Sequence, residues 1–169
     1  MKALGLFFLF AGSVSAGLVY CRQKKQKLLT LRELIYTLEH MEGQLRTNDL
    51  PLKELCAQMV HMSGRAVRPF YASLTRKLSQ LGELSFAELW GQALAEELPG
   101  LDGVMRDPLL QLGNSLGRYE LQQQFRALQA CRSSLCAQLE EAKKAYPNQA
   151  KLGMGLSASV GILVWIILA

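Results

Sequence analysis

Residues 28–45 read LLTLRELIYTLEHMEGQL. Their apolar positions, Leu28, Leu31, Leu34, Ile35, Leu38, Met41 and Leu45, recur at three- and four-residue steps. That spacing stacks them on one side of an α-helix and predicts an amphipathic helix with a buried face. No Gly or Pro stands between Leu18 and Glu42, so the same helix can run on upstream without a break. Downstream, Thr47-Asn48-Asp49-Leu50-Pro51 stops it and offers a cap for the next helix.

The pattern repeats along the chain. Leu52, Leu55, Cys56, Met59 and Val60 mark a second helix that ends near Ser63-Gly64. Pro69 suits the first turn of a third, with Phe70, Leu74, Leu78 and Leu81 on its apolar side. Ser85-Phe86-Ala87-Glu88 is a capping box, in which hydroxyl and carboxylate each satisfy an orphan backbone donor. Phe86, Leu89, Trp90, Ala93 and Leu94 follow at helical spacing until Pro99-Gly100 closes the segment. Asp107-Pro108 is expected to start a short helix carrying Leu109, Leu110 and Leu112. A last long helix is expected from about Tyr119 to Tyr146, striped by Leu121, Phe125, Leu128, Leu135 and Leu139, with Pro147 breaking or kinking it. No alternating strand pattern appears, so the fold class is an all-α helical bundle. A coiled coil with a second chain is disfavoured, because Glu42 and Arg132 interrupt the seam.

A chain of 169 residues favours one domain, and its dense Leu, Phe and Met content excludes disorder. Half the residues are hydrophobic, but unevenly placed. Ala3 to Cys21 carries no charge in 19 residues, and Leu152 to Ala169 none in 18. As helices these reach about 27–28 Å, just enough for a hydrocarbon core of ~30 Å. The expectation is therefore an N-terminal transmembrane helix over 3–21, a helical bundle over 22–151 and a C-terminal transmembrane helix over 152–169. The first segment also resembles a secretory signal, with Ser13-Val14-Ser15-Ala16-Gly17 placed for cleavage. An exported or, through Cys21, lipid-anchored helical binding protein is the alternative. Charge opposes export: Arg22, Lys24, Lys25 and Lys27 follow the first span, and Lys143, Lys144 and Lys151 precede the second. Basic flanks stay inside, so the bundle is expected in the cytoplasm and the chain in the lipid bilayer. Gly153, Ser157 and Gly161 share one face of the second span, and Gly12 and Ala16, or Ser13 and Gly17, one face of the first. These faces suit close helix packing, though Gly and Ala are common in membrane segments generally.

Chemistry is sparse. No phosphate loop, metalloprotease helix or serine nucleophile motif is present, and neither an enzyme nor a cofactor is expected. Cys21, Cys56, Cys131 and Cys136 lack both disulfide-framework and zinc spacing, and His40 and His61 stand apart from them. They read as reduced thiols, with Cys56 and Cys131 expected to report by labelling which side the bundle faces. His40, between Glu39 and Glu42, reads as a solvated residue rather than a base. Arg65, Arg68, Arg76 and Lys77 form a basic cluster that meets anionic headgroups, an acidic partner or only solvent. The net charge of +5 lies mostly beside the apolar ends, which disfavours a nucleic-acid partner.

One segment stands apart: Leu112-Gly113-Asn114-Ser115-Leu116-Gly117-Arg118-Tyr119-Glu120, followed by Gln124. Two glycines four residues apart permit a close helix contact or a bend, and Glu120 suits a helix start. This pattern resembles the stage III sporulation protein AB family of endospore-forming bacteria, with Glu120 where Asp is commoner. The short first span from Leu4-Gly5, the basic exit, Pro51-Leu52 and the terminal span agree in order. The resemblance implies a non-enzymatic component of the channel-like complex in the mother-cell membrane facing the forespore, among other stage III sporulation membrane proteins. It also implies a bundle similar to the helical domain of type II secretion F proteins, which docks a cytoplasmic secretion-type ATPase. Arg118, Glu120 and Gln124 are the candidate protein-contact residues.

Overall fold

A computed structural model describes residues 25–46, 51–116 and 120–168, with side chains as far as Lys144. Residues 25–46 are helical throughout and form α1. Then come α2 (Leu52–Met62), α3 (Arg68–Lys77) with a 3₁₀ turn at Leu78–Gln80, α4 (Phe86–Glu97), α5 (Gly103–Ser115) and α6 (Leu121–Leu168). Among the described residues, β structure is limited to an isolated bridge between Leu81 and Leu84. The all-α class follows, as the periodicity predicts.

The chain divides into two compact units, and Lys27–Leu139 is the one that holds the bundle. Its core takes the predicted face of α1 (Leu31, Leu34, Leu38, Met41, Leu45), while Leu28 and Ile35 pack at its border. Phe70, Tyr71 and Leu74 of α3, Leu89, Trp90 and Leu94 of α4, and Leu128 and Leu135 of α6 complete the centre. Successive helices α2, α3, α4 and α5 pack each on the next, as short connections dictate. Phe70 meets Trp90 edge-on, ring centroids 4.9 Å apart, and so joins α3 to α4.

Local chemistry sets the helix ends. Glu88 N–H donates to Ser85 Oγ at 3.3 Å and Ser85 N–H to Glu88 Oε2 at 2.8 Å, closing the capping box. Pro69 lies in the first turn of α3. Leu81, expected on the apolar face, is instead 53% exposed, because the 3₁₀ turn and Gly82 at φ +119° carry the chain away from the core. Helix α5 begins five residues before Pro108, at Gly103, with the Asp102 carboxylate accepting from Met105 N–H at 3.3 Å. Pro108 therefore sits inside the helix. Its missing N–H leaves Val104 C=O without a helical donor, and Gln138 Nε2 on α6 donates to that oxygen at 2.8 Å. Helical backbone likewise continues through Pro147 to Leu168, so the chain does not break there.

The span expected over 3–21, with Gly12 and Ala16, lies outside the described residues. Gly153, Ser157 and Gly161 fall on the helical backbone of α6, beyond the described side chains. Among the described residues, no helix is long and apolar enough to cross a membrane.

Candidate functional site: the groove between α1 and α6

Of the contact residues expected from sequence, Arg118 lies outside the described residues. Glu120 is exposed and starts α6: its C=O accepts from Gln123 N–H at 2.9 Å and Gln124 N–H at 3.2 Å. Gln124 is half-buried one turn on. Within the bundle, residues 121–139 of α6 run antiparallel to α1, and the residues that interrupt the apolar seam are each other's partners. Arg132 Nε donates to Glu42 Oε2 at 3.1 Å, and Gln129 Nε2 to Glu42 Oε1 at 3.0 Å. Beyond this clasp the two helices leave an open groove of about 680 Å³. Glu42, Leu45 and Arg46 form one wall; Leu121, Gln122, Phe125, Arg126 and Gln129 form the other. Glu120 and Gln124 thus begin the helix that supplies the second wall, while Arg46 and Arg126 escaped the sequence reading. Their signal was faint: a charge one position beyond an apolar stripe residue.

Elsewhere the bundle's helices are tied by buried and part-buried polar contacts. Tyr71 Oη donates to Thr37 Oγ1 at 3.1 Å, and Thr37 Oγ1 donates to Leu34 C=O at 2.9 Å, a satisfied chain linking α3 to α1. Glu33 reaches from α1 to accept from Ala66 N–H (2.9 Å) and Val67 N–H (3.1 Å), beside Gly64, where a Cβ would collide with its carboxylate. Trp90 Nε1 donates to Leu109 C=O at 2.8 Å, and its indole covers Gly113 so closely that a Cβ there would lie 2.7 Å from Cγ. The first glycine of the Leu-Gly pattern serves a close contact, not a bend, since α5 continues through it. Gly117 lies outside the described residues.

The other candidates are dispersed. Arg68 donates to Ser63 C=O at 3.2 Å, and Lys77 pairs with Glu96 at 3.0 Å, which leaves Arg65 and Arg76 exposed singly. His40 leans on Tyr36, ring centroids 4.8 Å apart. Cys56 and Cys131 are buried, and desolvation pushes each thiol up to about 12, so both are poor labelling targets and half-exposed Cys136 is the better reporter. Among the described residues, no group of three or more His, Cys, Asp or Glu could hold a metal ion.

The described residues thus define an all-α helical-bundle protein with an open groove between its first and last helices. A model of the stage III sporulation protein AB family matches residues 2–169, and the chain belongs to that family. Its structure is similar to a solved stage III sporulation protein AB, with 20% sequence identity, 73% of this chain and 98% of that chain covered, and a TM-score of 0.65; the likeness shows the fold. No curated protein matches the chain.

Proposed function

We propose that the protein is a non-enzymatic, membrane-anchored component of the sporulation complex between mother cell and forespore, and that its bundle docks a cytoplasmic secretion-type ATPase. The observation that carries this is the family match over residues 2–169, which takes in both apolar ends together with the bundle between them. Residues 3–21 and 152–169 serve as transmembrane helices, with Gly12, Ala16, Gly153, Ser157 and Gly161 on packing faces toward each other or toward other stage III membrane proteins. Lysines and arginines at their inner borders hold the bundle in the cytoplasm. Two anchors fix the bundle's orientation and raise its local concentration near a membrane-bound partner, which strengthens weak contacts. Arg118, Glu120 and Gln124 belong to the contact face.

Crosslinking from the bundle in sporulating cells tests this: recovery of the secretion-type ATPase supports docking, and its absence from every bundle position rejects it. An intact mass beginning at Gly17 would instead favour the exported binding protein.

A further inference from the structure

The groove between α1 and α6 has a chemistry of its own. Its floor is apolar: Leu45 is buried, Phe125 half-buried, and Leu121, in the first turn of α6, is 47% exposed. Each wall carries an exposed guanidinium, Arg46 on α1 and Arg126 on α6. Neither pairs with a carboxylate among the described residues. Glu42, the groove's own acid, is occupied, since both its oxygens accept hydrogen bonds from Arg132 and Gln129. It therefore does little to neutralise the two arginines. At the α6 N-terminus the helix dipole is offset by the Glu120 carboxylate, so the positive potential comes from the two guanidiniums. The result is a concave apolar strip under a positive potential.

We propose that this groove seats an acidic amphipathic helix of a protein partner. Apolar side chains at i and i+4 of that helix pack on Leu121 and Phe125, and its carboxylates pair with the planar forks of Arg46 and Arg126. Concavity favours a helix over a lipid surface: a ridge of side chains fills a trough between two helices, whereas a flat bilayer needs apolar residues on a convex face. Glu120, next to Leu121, repels an acid at that end and so sets the bound helix's direction. The proposal rests on the docking reading above and adds its seat and its chemistry.

The test places the photo-crosslinker p-benzoylphenylalanine at position 121 of the full-length chain in sporulating cells, with crosslinked peptides mapped by mass spectrometry. The expected product is a peptide of another protein with apolar residues at i and i+4 and carboxylates beside them. Arg46→Glu with Arg126→Glu lowers its yield about tenfold, and a carboxylate-to-Arg change at the mapped acid restores it. Circular dichroism of the purified variant in detergent, unchanged from wild type, excludes misfolding as the cause. Crosslinks to residues 47–50 or 117–119 of the same chain, to a second copy or to lipid overturn the proposal, as does no crosslink. A second probe at Val104, 70% exposed on α5, separates the two ideas. ATPase captured at position 104 but not 121 overturns the groove and leaves docking standing. An acidic helix of some other protein at 121, with no ATPase at any bundle position, does the reverse.

Discussion

Gly113 and Trp90 show how little freedom single side chains have here. The indole is fully buried, hydrogen-bonded through Nε1 to Leu109 C=O, and cannot retreat from a new methyl group. Gly113→Ala should therefore cost about 1–3 kcal/mol by overpacking, read from urea unfolding of the full-length chain in detergent. Tyr71→Phe should cost about 1 kcal/mol, because Thr37 loses a donor while keeping its own bond to Leu34. The buried thiols give a pH signature. Cys56 and Cys131 ionise near 9.0 when unfolded and near 12 when folded. Between those values the unfolded chain binds fewer protons, so their contribution is intact below about pH 8 and is lost as pH rises from 9 toward 12. Thermal melts across that window, compared with the Cys56→Ala, Cys131→Ala chain, check the sign.

At the scale of elements, the proline in α5 and the glutamine in α6 act as a pair. Gln138 supplies the hydrogen bond that Pro108 denies to Val104 C=O. Gln138→Ala should cost about 0.5–1 kcal/mol in the native chain and nearly nothing beside Pro108→Ala, where the backbone regains its own donor. A double-mutant cycle measures the difference. The same pair shows why sequence reading placed the start of α5 too late: Pro is a good opening signal, and only a partner on a distant helix makes it acceptable further in. Helices α1 and α4 were legible because apolar spacing and the Ser85–Glu88 box are local properties. Leu81 departs from the helical period because a 3₁₀ turn and Gly82 interrupt it after Leu78. Of the groove's lining, the spacing marks Leu45, Leu121 and Phe125 as stripe residues, while the contact candidates Glu120 and Gln124 do not line it. Arg46 and Arg126 line opposite walls of a groove that exists once α1 and α6 lie antiparallel, and no spacing within either helix announces it.

At the scale of the molecule, the proposed topology predicts where a reagent can reach. In a chain carrying Cys21→Ser, a membrane-impermeant maleimide should label Cys136 only after permeabilisation, and Cys56 and Cys131 only after unfolding. Labelling of Cys136 on intact cells would reject the cytoplasmic placement. The Glu42–Arg132 clasp also has a consequence for biosynthesis. Its two halves are 90 residues apart, in the first and last helices of the bundle. At translation rates of about 5–20 residues per second, Glu42 waits roughly 5–20 s for its guanidinium. During that interval α3 can already dock on α1 through Tyr71 and Thr37, so the part of the Leu31–Leu45 stripe left bare until α6 emerges is the one that α6 covers.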